Sequence, residues 1–568
     1  MPTVNGLQMT TGSFTFALHS HMPYVLSHGR SPHGSDWLCE AAAESYLPLL
    51  NVCHRLVADG ISPCITLGLT PVLMEQLADP RFQIAFAAFI DERASMASRD
   101  SAEFDAAGNT RMAELARWWR DWHLEKLREF TMRWNCDIVA AFGALQEQGR
   151  LEIIGGSATH GYSPLFAEDA TIAMQVNAGV SAYRRRFGRS PRGYWLPECG
   201  YRPRGENSAP GSNGAVRRGI EEFLAARGVE YFFAESGARQ GDSASSANLV
   251  SSAGALNVPL PARDSGLAPL SPYRAHLVNS AGAPLPSVRA FSRDPATGVQ
   301  VWSGEVGYPA DPWYLDFHRR NSDKGVVPMG LRYWRVSEGD DKQLYEPDRA
   351  NSRVIAHAQH FASVVASTLA REAPEGDGIV CATYDTELFG HWWFEGAEFL
   401  YEAIKAIAAL PEIARVTCGE YLDAHPNPGR AVPLPEGSWG AGGGHGVWLN
   451  PGTDAIWTRV HAAEATMARL VREYGGAKRT ERVLQQAARE LLLLTSSDWP
   501  FLVTTGGAVD YAWARFNDHC VHFEVLSMLV EQLGSGRELT VSQWKALANC
   551  EQRDRIYPWL DLAAYQGG

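Results

Sequence analysis

Across the first two thirds of the chain, short apolar, β-rich runs alternate with longer segments of helical period. That alternation restricts the fold more than any other feature. SFTFALHSH, ending at His21, precedes the helical pattern LCEAAAESYLPLLNVCHRLVA, and CITLGLT is a second strand, ended by Pro71. LEIIGG, GYWLPE and EYFFAE are further strands, separated by the helical patterns ATIAMQVNAGVSAYRRRFG and AVRRGIEEFLAARG. The order returns at VIAHAQHFASVVASTLARE, GIVCATYD and FLYEAIKAIAAL. Strands joined through helices lie parallel, because a parallel pair needs a long crossover, so the pattern predicts an α/β fold closed as a barrel.

Three stretches depart from the alternation. Residues 71–150 are mostly helical and read as an insertion, and residues 236–287 shift to Ala, Ser, Gly and Pro, the composition of a lid or a mobile loop. After the Gly-rich GSWGAGGGHGVWLNPG come helical patterns to the end of the chain. The expected division is therefore a catalytic barrel over 1–430, with the insertion and lid inside it, and an α-helical C-terminal domain over 431–568.

Composition excludes several roles. A net charge of −13 argues against a nucleic-acid partner, whose footprint is basic. The most apolar late run, ELLLLTSSDWPFLVTT, is broken by Ser496, Ser497, Asp498 and Pro500, so no membrane span is expected. No signal peptide opens the sequence, and nine scattered Cys without a CxxC pair read as reduced thiols. A cytoplasmic protein is expected. The 18 Trp suit core packing and sugar stacking equally.

In parallel β/α folds, chemistry collects at the carboxyl ends of strands. Four polar clusters stand there. His19 and His21 alternate at the end of the first strand and share a face. ATHGYSP carries His160, WLPECGY carries Glu198 between Pro197 and Cys199, and TYDTELFGHWWFEG carries Asp385 among aromatics. Two carboxylates flanked by aromatic rings meet the needs of glycosidic cleavage: one protonates the leaving oxygen, the other attacks the anomeric carbon or activates water. Spacing alone leaves metal-assisted hydrolysis an equal alternative, since His19 and His21 at i, i+2 could hold zinc with a carboxylate.

The strings HSHMPY, ATHGYSPL, WLPECGYRP, FSRDPATGVQVWSGEVGYPADPWY, YDTELFGHWWFEG and SWGAGGGHGVWLNPG, in that order, resemble glycoside hydrolase family 57, most closely its glucan-branching members. The resemblance implies a (β/α)7 barrel with a helical insertion and a helical C-terminal domain. It also implies a retaining mechanism with Glu198 as nucleophile and Asp385 as acid/base, and neither a metal nor a cofactor. His19, His21 and His160 would contact substrate near the scissile bond, and Trp302, Trp439, Trp448 and the Asp498–Trp499 pair would line a cleft for α-1,4-glucan donor and acceptor. Tyr273, the one Tyr of 236–287, would be the lid tyrosine. An α-amylase or 4-α-glucanotransferase of the same family is the alternative activity. Trp118, Trp119, Trp122 and Trp134, at helical spacing, are expected to be packing residues.

Overall fold

The computed structural model describes residues 11–206, 216–235, 250–251, 254–255, 270–280, 288–304, 306–321, 330–337, 339, 342–427 and 429–566. Seven strands run parallel: β1 Gly12–Ser20, β2 Ile65–Leu69, β3 Leu151–Gly156, β4 Gly193–Trp195, β5 Tyr231–Phe233, β6 Val288–Phe291 and β7 Ile379–Asp385. Their order in the sheet is β6-β5-β4-β3-β2-β1-β7. The backbone N–H of Asp294, just past β6, donates to Cys381 O on β7 at 3.1 Å and joins the two ends. The result is a (β/α)7 barrel. All nine residues of β1 are buried, as expected of a strand covered on both faces. Two short strands extend the sheet: His276–Val278 runs antiparallel to β6, and Ile413–Arg415 pairs with the start of β1.

Within 71–150 the structure has helices Pro71–Leu77, Pro80–Ala106, Thr110–Arg128 and Ile138–Glu147. Asp79 and Asn109 cap the two longest by accepting from Arg81 N and Met112 N. Trp118, Trp119 and Trp122 surround Phe394, with ring centroids 5.8, 5.1 and 5.7 Å away. Trp134 lies against His54 at 4.4 Å. These rings pack as expected, and three of them brace the loop after β7, which carries the Asp385 motif.

His123, beside them, is buried with no hydrogen bond to either ring nitrogen. Burial, with Arg93 and Arg332 nearby, pushes it down to about 3. A base depressed in the folded state takes up a proton on unfolding, so stability falls as pH drops below the unfolded value near 6.5. For His123 the loss is about 2 kcal/mol between roughly pH 7.5 and 5. Denaturant unfolding across that range should show His123→Phe losing about 2 kcal/mol less than the parent chain.

Beyond the barrel, helices Asp454–Tyr474, Lys478–Leu494, Asp498–Thr505, Val509–Gly534 and Val541–Arg553 pack together. Leu491, Leu492, Leu493 and Leu494, from the most apolar late run, are all buried there. Polar contacts dock this bundle on the barrel. Ser497 N donates to His160 O at 2.9 Å, Gln175 Nε2 to Thr495 Oγ1 at 3.1 Å, and Thr159 Oγ1 to Leu492 O. Each joins the turn after β3, or the helix behind it, to the end of helix Lys478–Leu494. No helix among the described residues is long and apolar enough to cross a membrane, and all nine Cys are free thiols.

Candidate active site

Glu198 sits in the turn after β4, with φ 58° and ψ 26°, and Cys199 follows at φ 48°. Two successive non-glycine residues in the left-handed region are costly, and such strain is kept where the surroundings fix it. Here the Gly-rich segment fixes it. Tyr201 and Gly437 exchange backbone hydrogen bonds at 2.8 and 3.1 Å, and Trp439 N donates to Glu198 O at 3.1 Å. The side chain is held as firmly: Trp439 Nε1 donates to Oε2 at 2.9 Å, and Ser497 Oγ donates to Oε1 at 3.0 Å.

Ser497 also decides the tautomers behind it. Since its hydroxyl proton goes to Glu198, Oγ must accept from His160 Nδ1, 2.8 Å away. His160 Nε2 is then the acceptor, and His19 Nε2–H donates to it at 3.0 Å. A relay His19–His160–Ser497–Glu198 results, with both imidazoles neutral. Burial first, and then neighbouring imidazole charge, holds both histidines well below their usual value, in agreement. The His19 ring lies flat on Trp195, 4.6 Å between centroids and 9° between planes.

His21 differs. Its Nε2 faces both oxygens of Asp498 at 3.1 and 3.0 Å, and its backbone N donates to Glu387 Oε1 at 3.0 Å. Burial alone would lower His21, but Asp498, Glu198 and Glu387 outweigh it and raise it. Burial would likewise raise Asp498, yet the charge and hydrogen bond of His21 pull it below the usual carboxylate range. A histidine–carboxylate pair whose members each favour the charged form of the other thus lies beside the neutral relay, with the His21 and His160 rings stacked at 3.8 Å. Ligand-type atoms of His21, His160 and Asp498 lie within 4.8 Å of one another. Each is already engaged by a protein partner, so the trio reads as a hydrogen-bond network.

Asp385 ends β7 directly opposite His19 on β1. Its carboxyl has no side-chain hydrogen bond among the described residues. Burial, then the charges of Glu387 and Glu198, hold it well above the usual carboxylate range, while Arg293 counteracts. Burial also raises Glu198, against the hydrogen bonds of Trp439 and Ser497. Two carboxyl groups within electrostatic reach therefore have unlike settings. Glu198 is met by donors on both oxygens, which favours the anion, while Asp385 is favoured as the acid.

Glu387 accepts from Tyr46 Oη at 2.5 Å, as well as from His21 N, and Glu395 accepts from Leu315 N at 3.0 Å. Both hold the backbone around the motif. Gly390 lies at φ 123°, and a Cβ there would sit 1.7 Å from Glu44 O, so the loop after β7 can approach the Glu44 backbone only as glycine.

The other expected residues divide. Trp302 and Trp439 are half-buried, 6.4 Å apart, and Trp302 is 6.3 Å from Tyr384. They belong to the wall beside the pair. Trp448 does not present a face there: it is 1% exposed and stacks on Tyr162 at 4.4 Å, bracing the Gly-rich loop from beneath. Its expected place in the cleft is corrected accordingly, as is that of Trp499, which is 1% exposed and donates through Nε1 to Leu493 O at 2.9 Å. Tyr273 is also corrected. Its backbone O accepts from Ile379 N, at the start of β7 and so at the opposite end of that strand from Asp385, and its Oη donates to Asp294. Apart from 250–251, 254–255 and 270–280, the expected lid lies outside the described residues. Sequence reasoning missed Ser497 and the Arg293–Glu235 ion pair (2.8 Å) that flanks the site. Arg293 stands in the FSRD string, whereas Ser497 had only its place beside Asp498 as a signal.

A barrel with this carboxylate pair defines a class of enzymes acting on glycosidic bonds, and the chain belongs to glycosyl hydrolase family 57, whose model matches residues 15–435. A second model, the C-terminal part of 1,4-α-glucan branching enzymes, matches residues 459–565. A 1,4-α-glucan branching enzyme of Thermococcus kodakarensis is 37% identical over 558 residues, covering 96% of this chain and 77% of that one. A probable 1,4-α-glucan branching enzyme of Mycobacterium tuberculosis is 30% identical, covering 93% and 94%. Among solved structures, a family 57 branching enzyme from Pyrococcus horikoshii superposes with TM-score 0.83 at 38% identity, covering 98% and 97%. An α-amylase from Thermotoga maritima gives 0.75 at 28% identity, covering 98% and 99%.

Proposed function

We propose that this chain is a 1,4-α-glucan branching enzyme working by retaining double displacement. The observation that carries the chemistry is the pair of carboxyls in unlike settings: both are raised by burial, but Glu198 is held by a donor on each oxygen and Asp385, raised further, by none among the described residues. In the first step Glu198 attacks the anomeric carbon of an α-1,4-linked donor, and the bond to the leaving O4 breaks as Asp385 delivers its proton there. The transferred segment is then held as a glucosyl ester on Glu198. In the second step Asp385 takes the proton of a glucan 6-hydroxyl, whose oxygen attacks the same carbon, and the ester breaks to free Glu198.

Both steps invert at that carbon, so the α configuration is kept in the new α-1,6 link. His21, whose charged form Asp498 favours, balances charge next to Glu198, and the neutral relay orients Ser497. Trp302 and Trp439 offer ring faces for glucose units. The likeness of 459–565 to branching-enzyme C-terminal regions supports branching over hydrolysis. The product class is a branched, glycogen-type α-glucan, and nine free thiols suit a reducing, cytoplasmic setting.

Treatment of amylose followed by debranching and chain-length analysis tests the reading. New α-1,6 links with few new reducing ends are expected. Shorter linear chains alone would instead assign the α-amylase or 4-α-glucanotransferase activity.

A further inference from the structure

Away from the carboxylate pair, the C-terminal helices gather a second set of chemically able groups. Glu490 comes from helix Lys478–Leu494, His519 and His522 from Val509–Gly534, and Asp554 from the residue after Val541–Arg553. One ligand-type atom of each lies within 4.8 Å of the others. His522 Nδ1 is 3.7 Å from Glu490 Oε2 and 3.5 Å from Asp554 Oδ2. These separations are too long for good hydrogen bonds, and His522 Nδ1 and Asp554 Oδ2 are both buried without a hydrogen-bond partner. Donors around one tetrahedral ion, each about 2.0–2.2 Å from it, stand about 3.3–3.6 Å apart. His522 Nδ1 stands at about that spacing from both carboxylate oxygens.

The surrounding bonds orient them for it. Arg515 Nη2 donates to His519 Nε2 at 3.0 Å, so the His519 proton is on Nδ1 and is given to Glu490 Oε2 at 2.9 Å. His519 therefore positions Glu490 and is not itself a ligand. Gln486 Nε2 holds Glu490 Oε1 at 2.9 Å. His28, from the loop after β1, donates through Nε2 to Asp554 Oδ1 at 2.6 Å, and its Nδ1 accepts from Arg553 at 3.2 Å. Carboxylates that bind a metal are themselves usually held by such hydrogen bonds. The Glu490 and Asp554 side chains are fully buried, while that of His522 is 22% exposed, leaving a path for an ion and a water as fourth ligand.

We propose that His522 Nδ1, Glu490 Oε2 and Asp554 Oδ2 bind one divalent transition-metal ion of the zinc class. Two carboxylates balance its charge, which a buried site requires, and the His522 imidazole binds as the ion displaces its proton. The ion is structural. It ties three helices together next to the turn that delivers Ser497, and through Asp554–His28 it ties them to the barrel. The rival occupant is a proton on His522 that serves the two carboxylates alone.

The test uses the full chain, stripped with a chelator and dialysed. Zn2+ is titrated by calorimetry and Co2+ by its visible absorption at neutral pH, with the thermal midpoint followed alongside. One equivalent per chain is expected, with a tetrahedral Co2+ spectrum and a midpoint that rises with added ion. His522→Ala and Asp554→Asn should each weaken binding by about 100-fold or more. His522 is partly exposed, so its variant keeps the test decisive if Asp554→Asn fails to fold. His21→Asn should retain the equivalent, which separates this place from the His21–His160–Asp498 trio. No saturable binding, binding unchanged in His522→Ala, or loss of binding in His21→Asn would each overturn the assignment.

Discussion

Glu198→Gln is expected to lower chain transfer on amylose by about 10⁴-fold or more while the protein stays folded. Glutamine has nearly the same shape, so the left-handed turn and its bonds to Tyr201, Gly437 and Trp439 are kept. Its NH2 group, however, must face either Ser497 Oγ or Trp439 Nε1, both of which are donors to the carboxylate. One hydrogen bond is lost, which costs about 1 kcal/mol, small beside the catalytic loss. Loss of iodine-stained amylose conversion, with an unfolding midpoint close to the parent's, is the outcome to look for. Appreciable transfer by the variant would remove Glu198 from the nucleophile's role. In Glu198→Ala, azide should occupy the space and yield a β-glycosyl azide, because it attacks from the face the carboxylate had used.

Asp385→Asn should give a different pattern. On amylose the rate falls by about 10²–10⁴-fold, because the leaving O4 is no longer protonated. An α-glucosyl fluoride with a few attached glucose units needs no such proton, so formation of the ester on Glu198 is spared. Turnover then stalls at the second step, where the 6-hydroxyl lacks its base. Azide, which needs no base, should restore release and give the α-azide, the opposite anomer to that from Glu198→Ala. If amylose and the fluoride lost activity equally, Asp385 would not be the proton donor. The two anomers together assign the two carboxyls independently of any rate.

The legibility of this molecule follows from where its physics is local. Six of the seven barrel strands are readable, because each is an apolar run bounded by turn residues. The exception is Val288–Phe291, which follows the Ala/Ser-rich stretch and whose apolar run is broken by Arg289. Glu198 and Asp385 are readable because each is an acid set among aromatics at a strand end. Ser497 is not, since a serine between Ser496 and Asp498 is ordinary until helix packing brings it to Glu198 across 299 positions of sequence. Trp448 and Tyr273 show the converse. Aromatics near a motif look alike in sequence, and only burial tells a brace beneath a loop from a face open to sugar. The relay's tautomers, too, depend on contacts between β1, the turn after β3 and the C-terminal helices.

The contact of Ser497 with Glu198 has an evolutionary consequence. The helical region that follows the barrel supplies one of the two side-chain donors on Glu198, so it is part of that residue's setting and not an appendage to it. A recombinant that joined this barrel to a tail without a serine in this place would leave Glu198 Oε1 without its donor.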